Sequence, residues 1–507
     1  MKKLLLAFYL LFSLSSSGQI IFQKSIDSSG VVGKISLQPT IDGGFISAGF
    51  VWNTGITDGL LLKFDSNGDT IWTKIYSLPV ESYLGIDVKQ TDDHGYILSG
   101  VRSGGSVNKN VVIKTDSMGE VVWSKEYSLS VDLDVISIIQ MFDKGYVLVG
   151  QVVGSNDVIN VIKIDENGDT LWTRSGGNGQ FTSVSSMAKT SDSCFVITGY
   201  DGLVGSGNGS FIVKMDNNGN TLWTKTYSGN FFNVEASDIA ETNDGGLIIT
   251  GGKDVVGGRE VFLLRVDRNG NFLWSKTYGN NFSNMGLSVE QTSDSGYIIG
   301  GRIEFSSSDY DALVIKTDSF GTMQWSNTYG GNDIEDGIAA VQNGGDGYMV
   351  FSTYFYSGGF SNLLFIKTDQ MGSSGCNEGV PNITVDTTSF QIGSMNSLMQ
   401  SSCFVSDVTF QVGSGQRLNT FCSSVGINEF DLRINCFIYP NPVDDEFTLE
   451  GTSEKGVIRI SDMSGKIIST QNSASERTMI SCSELSAGIY FLNYTNGTGT
   501  VNLKIVK

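Results

Sequence analysis

Six of the seven tryptophans, Trp72, Trp123, Trp172, Trp223, Trp274 and Trp325, follow one another at intervals of 51, 49, 51, 51 and 51 residues. A period held over so long a run restricts the fold to copies of one supersecondary unit, each burying its apolar faces against the next. Every one of these Trp residues ends a phrase Lys/Arg-x-Asp-x-x-Gly-x-x-x-Trp, as in Lys63-Phe64-Asp65-Ser66-Asn67-Gly68-Asp69-Thr70-Ile71-Trp72. An apolar run, an Asp/Asn/Gly turn that supplies positive φ, and a second strand starting near the Trp predict a β-hairpin. A second phrase precedes it, Asp-x-Gly-aromatic, then an apolar run and usually Gly, as in Asp93-His94-Gly95-Tyr96-Ile97-Leu98-Ser99-Gly100. With a third apolar stretch upstream, such as Ile86-Asp87-Val88 or Leu287-Ser288-Val289, each unit offers four strands.

Four antiparallel strands in about 50 residues make one blade of a β-propeller, whose radial closure leaves only short edges. The hairpin-turn aspartates Asp65, Asp116, Asp165, Asp216, Asp267, Asp318 and Asp369 count seven blades. The seventh hairpin, Lys367-Thr368-Asp369-Gln370-Met371-Gly372, has no Trp strand after it, whereas Ile21-Phe22-Gln23-Lys24 matches Ile71-Trp72-Thr73-Lys74. Residues 20–26 are therefore expected to complete blade seven, with Phe22 at the Trp position. The predicted class is all-β: a seven-bladed propeller over 19–372 closed by an N-terminal strand, and a small C-terminal β-sandwich. The Trp-ended hairpin resembles those of quinoprotein-type propellers and, with a shifted spacing, the Asp-box of sialidase propellers. That resemblance implies a blade-packing role for the six tryptophans, and neither a cofactor nor a catalytic site.

Both ends of the chain speak of export. Lys2 and Lys3 precede an apolar run from Leu4 to Leu14 and then Ser15-Ser16-Ser17-Gly18-Gln19, the three-part pattern of a secretory leader over 1–18. The run is too short to span a bilayer, and no later stretch reaches the roughly 20 apolar residues a transmembrane helix needs. A formal charge of -20 argues against nucleic acid or anionic membrane as partner, since both require clustered Lys and Arg.

After Gly372 the period stops. Residues 373–430 are Ser/Thr/Val-rich, with a related pair Ser389-Phe390-Gln391-Ile392-Gly393-Ser394 and Thr409-Phe410-Gln411-Val412-Gly413-Ser414, and are expected to form a β linker or a small separate module. The segment 435–507 carries four ordered motifs: Tyr439-Pro440-Asn441-Pro442, then Ile458 to Lys466 with Gly465, then Leu485-Ser486-Ala487-Gly488-Ile489-Tyr490-Phe491, and Lys504-Ile505-Val506-Lys507. It resembles the type A C-terminal sorting domain of the type IX secretion system. The resemblance implies a Bacteroidetes-type bacterium, export to the outer surface or the medium, and two partners, the secretion machinery and its surface peptidase. Alternating apolar residues independently suggest an Ig-like β-sandwich there.

Chemistry is sparse. The single histidine, His94, occupies a turn position where other units carry Gly43, Lys144, Ser193, Gly245 and Ser295, so His-dependent triads and His-rich zinc sites are not expected. The Asp-x-Asn-Gly-Asp turns at 65–69 and 165–169 gather oxygens, yet where an EF-hand would place its Glu stand Tyr76 and Gly176. No metal and no cofactor are expected. Cys376, Cys403, Cys422, Cys436 and Cys482 are read as lying outside the propeller, and Cys194 as a structural thiol at a turn-glycine position.

One ring could carry function: Ser36, Asp87, Ser137, Ser186, Asp238 and Ser288, with Ala339 in blade seven, all on first strands expected to line the channel. Small residues where inner strands crowd are the competing explanation. The functional expectation is a monomeric, non-enzymatic binding or adhesion scaffold for an extracellular glycan or protein, with variable loops Val101–Asn110, Gln151–Asp157 and Ile303–Asp311 as the contact surface. The alternative is a polysaccharide hydrolase or lyase using paired carboxylates drawn from Glu81, Asp132, Glu235, Glu304, Asp309, Asp333 and Glu335.

Overall fold

The computed structural model describes residues 20–425 and 437–507 apart from short stretches within them; the leader-like stretch 1–18 lies outside the described residues. Each repeat folds as the predicted four-stranded antiparallel sheet. Blade 1 comprises Val32–Pro39, Phe45–Asn53, Ile56–Phe64 and Thr70–Ser77; blade 2 comprises Ser82–Gln90, Tyr96–Ser103, Lys109–Thr115 and Val121–Ser128. The first strand of each blade lines a central channel. One face of the disc holds the tight turns after strands one and three, and the other holds the longer loops and the links between blades.

The middle strands are apolar on both sides because each sheet is sandwiched between two others. Leu60, Leu61 and Leu62 are consecutive and each no more than 1% exposed. Leu61 joins Tyr83, Leu98 and Ile113 of blade 2, while Leu60 and Leu62 pack with Phe351 and Phe365 of blade 7.

Closure is as the sequence foretold. Ile20–Asp27 pairs with Phe360–Thr368 as the fourth strand of blade 7, with Phe22 opposite Lys367. Phe22 is fully buried against the hairpin turn of blade 1, where Gly68 is in the left-handed region at φ 70° and a Cβ would come within 2.3 Å of the Phe22 ring. The same relation repeats around the ring, Trp72 lying on Gly119 and Trp123 on Gly168.

Residues 373–425 do not behave as a separate module, and 426–430 lie outside the described residues. Seven short strands, Glu378–Gly379, Thr384–Thr387, Gln391–Gly393, Met399–Gln400, Phe404–Asp407, Gln411–Gly413 and Arg417–Val425, add to the outer edges of blades 6, 5, 4, 3, 2, 1 and 7 in that order. The chain thus runs once around the propeller, against the direction of the blades, as a belt. Between strands it drops a side chain into a seam: Ile383 between blades 5 and 6, Phe390 between 4 and 5, Met395 and Leu398 between 3 and 4, Cys403 between 2 and 3, Phe410 between 1 and 2. The related hexapeptides at 389 and 409 are two copies of this step, a plugging Phe followed by an edge strand. The compact unit accordingly extends from Gln19 to Val425, and Cys376 and Cys403 belong to it rather than lying outside it.

The C-terminal unit is a sandwich of a three-stranded sheet (Phe437–Tyr439, Glu446–Glu450, Arg477–Ser481) and a four-stranded sheet (Val457–Ser461, Ile467–Asn472, Ile489–Asn496, Gly499–Val506). Phe447, Leu449, Ile458, Ile460, Leu492 and Tyr494 form its core.

Candidate functional site

The channel ring is built by a bulge. In blade after blade the first strand slips register just before the ring residue, between Gly85 and Asp87, Val135 and Ser137, Val184 and Ser186, Ala236 and Asp238, and Gly286 and Ser288. A bulge re-aims the following side chain, here towards the channel. It also crowds the second strand, which explains the glycine ending the Asp-x-Gly phrase: a Cβ on Gly251 would stand 1.9 Å from the Glu235 carbonyl oxygen, and one on Gly199 2.0 Å from that of Ser183.

Ser36, Asp87, Ser137, Ser186, Asp238 and Ser288 all line one cavity of about 1020 Å³ along the channel. The structure brings the predicted ring together and also occupies its oxygens. Asp87 Oδ1 accepts from Ser36 Oγ of blade 1 at 2.6 Å and from its neighbour's amide, Val88 N, at 2.9 Å. Its Oδ2 accepts from Ser137 Oγ at 2.8 Å and Ile138 N at 3.0 Å, both of blade 3. Asp238 repeats the pattern, accepting from Ser186 Oγ at 2.6 Å and Val289 N at 2.9 Å, and burial raises its pKa against these bonds. Ser288 Oγ accepts from Ala340 N at 3.0 Å. The ring therefore staples blades to one another. A second staple closes the turn face: Gln90, Gln140, Gln291 and Gln342, each ending a first strand, accept the turn amides of Ile41, Asp92, Asn243 and Ser293.

Sequence reasoning missed the perimeter contacts, although their signal is a constant offset from the Trp. Four residues on, Tyr76, Tyr127, Tyr227 and Tyr278 donate their hydroxyls to the next blade's turn-glycine carbonyl at 2.6 to 2.8 Å. In blade 3 Gly176 replaces the Tyr, and Arg174 Nε makes the equivalent bond to Gly219 O at 3.0 Å. One residue after the Trp stands Ser or Thr, which holds the belt: Thr224 Oγ1 donates to Met395 O at 2.7 Å, Ser275 Oγ to Thr388 O at 2.5 Å, and Ser124 and Thr173 do likewise to Val408 O and Ser401 O.

In blades 1 to 6 the two phrases are tied by a buried cation. Lys63, Lys114, Lys163, Lys214, Arg265 and Lys316 pair with the turn carboxylates Asp42, Asp93, Asp143, Asp192, Asp244 and Asp294. Partial burial would raise the carboxyls of Asp93 and Asp192, but the lysine, the Thr91 or Thr190 hydroxyl and a turn amide outweigh it and hold both at about 2. Glu290 and Asp311 move the other way, chiefly by burial, to about 7 and about 6. A depressed folded pKa gives stability that is complete above the unfolded value near 4 and is lost as pH falls towards 2; a raised one removes stability as pH rises from about 4 to its folded value. The melting temperature is thus expected to peak near pH 4 to 5 and fall on both sides, and a calorimetric series from pH 2.5 to 8 that shows a monotonic trend contradicts this assignment.

His94 is confirmed as a turn residue, in the left-handed region at φ 65° like Lys144, Ser193 and Ser295. The Asp-x-Asn-Gly-Asp turns cap themselves: Asp65 Oδ1 accepts from Asn67 N and Asp69 N at 2.8 and 2.9 Å, and Asp165 Oδ1 does the same from Asn167 N and Asp169 N. Among the described residues no group of three or more His, Cys, Asp or Glu could hold a metal. Cys194 is a buried free thiol, and Cys403 is also free.

Three of the loop-face acids stand in different parts of the ring. Glu81 pairs with Arg102 in blade 2, Asp132 accepts from Asn108 N at 2.6 Å at the link to blade 3, and Glu235 pairs with Arg259 at 2.7 Å in blade 5. Glu304 and Asp309 stand together in one hairpin of blade 6, beside Asp311; Asp333 and the side chain of Glu335 lie outside the described residues, as do parts of the three variable loops.

In the sorting segment, Gly488 and Lys507 exchange backbone hydrogen bonds at 3.0 and 2.9 Å, Tyr490 donates to Ser486 O at 2.8 Å, and Lys507 Nζ reaches Asp445 at 3.3 Å. Tyr439 and Lys504 lie in strands, while Pro440, Asn441, Pro442 and Gly465 fall outside the described residues.

Residues 437–507 match the family described as a secretion system C-terminal sorting domain, and residues 108–348 match one described as outer membrane protein assembly factor BamB. No curated protein matches the chain. Similar solved structures include PorZ, a surface component of the type IX secretion system of Porphyromonas gingivalis, at 10% identity and TM-score 0.39 over 93% of this chain; the match spans 59% of PorZ. The polysaccharide lyase Uly1 gives 10% identity and TM-score 0.43 over 66% of this chain and 89% of its own. Sqt1 from Chaetomium thermophilum gives 12% identity and TM-score 0.37 over 69% and 100%. The chain is a β-propeller protein with a type IX secretion system C-terminal sorting domain, exported to the cell surface or the extracellular space.

Proposed function

We propose that the propeller is a non-catalytic binding scaffold, displayed at the cell surface or released, that engages an extracellular glycan or protein through its loop face. The observation that carries this reading is that the described candidate acids outside blade 6 are each tied to local partners. Hydrolysis of a glycosidic bond characteristically uses two acids facing one another across the substrate, about 5 to 10 Å apart. Here Glu81, Asp132 and Glu235 belong to different parts of the ring, and each is held by an arginine or an amide of its own neighbourhood. Asp87 and Asp238, the buried acids of the channel, already receive donors from the adjoining blades.

Purified residues 20–425 should be retained on a subset of glycans or surface proteins in an array without releasing product. Incubation with a polysaccharide panel is the discriminating step: new reducing ends or unsaturated sugars in the supernatant would replace the binding-only reading with the hydrolase or lyase alternative.

A further inference from the structure

The belt begins and ends at one place. Gln23, in the closing strand, donates its side-chain amide to Ser374 Oγ at 2.9 Å and to the carbonyl of Cys376, where the belt starts. The backbone of Gln23 is also paired with Cys422, where the belt ends. Partners in an antiparallel ladder have Cα atoms about 4.5 to 5.5 Å apart, and a Gln side chain spans a similar distance, so both cysteines stand within reach of a single residue. Cys376 is disulfide-bonded, while Cys194 and Cys403 are free thiols.

From this backbone placement we propose that Cys376 is joined to Cys422, so that residues 376–422 form a covalent hoop around the seven blades that is fastened only in an oxidising compartment. Fastening removes two thiol protons and two electrons, which a disulfide-bearing oxidant of the cell envelope accepts by thiol–disulfide exchange. An open belt peels from either end, one short strand at a time. A closed hoop resists the one motion that opens a propeller, the radial parting of blades, because that motion lengthens the perimeter. The clasp also sits on the N-terminal strand that completes blade 7, so it guards the seam where the two ends of the propeller chain meet.

Non-reducing peptide mapping of the full secreted chain should yield one linked pair containing Cys376 and Cys422. Native reduction followed by alkylation should lower the melting temperature by about 5 °C, as expected for releasing a loop of this length in a chain of this size. Cys376→Ser and Cys422→Ser should each give the same fall, and the double variant no further one. A peptide joining Cys376 to Cys436 or Cys482 overturns the proposal, as does an unchanged melting temperature after reduction; both readings use the wild-type chain and survive failure of a variant to fold.

Discussion

Deleting Ile20–Asp27 is expected to lower the melting temperature by about 10 °C or more and to broaden the transition. The strand lies between Phe360–Thr368 on one side and Arg417–Val425 on the other, so its loss unpairs two edges at once. It also removes Phe22, fully buried beneath the blade 1 turn, and Lys24, whose ammonium reaches Asp69 at 2.5 Å. A buried aromatic and its neighbouring apolar surface contribute roughly 3 to 5 kcal/mol, and the exposed edges invite intermolecular pairing. A peptide of the same eight residues added in trans should restore much of the lost stability, since the slot is preformed. Thermal unfolding that is unchanged by the deletion refutes closure by this strand.

The second large effect concerns the belt. Phe410→Ala should destabilise the propeller by about 3 to 4 kcal/mol, because Phe410 fills the seam between blades 1 and 2, with its ring 4.9 Å from that of Tyr83 and also against Tyr76. Phe390→Ala acts in another seam, against Phe262 at 5.8 Å, and is half-buried, so its cost should be smaller. The two sites share no partners, and their effects should add within about 0.5 kcal/mol. Denaturant titration of the single and double variants measures both. If Phe410→Ala costs no more than a surface substitution, the belt is decoration and the seams are self-sufficient.

The legibility of these features differs for a physical reason. The blade count, the hairpins and the closing strand could be read because turn chemistry is local: positive φ after an Asp, and an aromatic at fixed offset, leave their mark in a few residues. The Tyr four positions after the Trp and the Ser or Thr beside it were equally regular, yet their partners are in the next blade and in the belt, so their role had no local signature. The belt was harder still. Its strands are two to four residues long for the most part and largely exposed, too short for alternation to show, and they exist only because a blade edge is there to receive them.

The channel ring shows the same division within single residues. Sequence placed Ser36, Asp87, Ser137, Ser186, Asp238 and Ser288 on inner strands at matching positions. What those side chains do depends on the bulge that turns them and on which amide of a neighbouring blade comes within 3 Å, quantities fixed by assembly of the whole disc. By itself, then, the sequence determined the repeat, its closure and the route out of the cell, since each is written in short motifs. Tertiary structure alone decided that residues 378–425 are a girdle, because its contacts reach segments from 113 to 284 residues away at no fixed period, and that the polar ring joins blades, because a repeat-length offset does not say which donor meets which carboxylate until the disc is assembled.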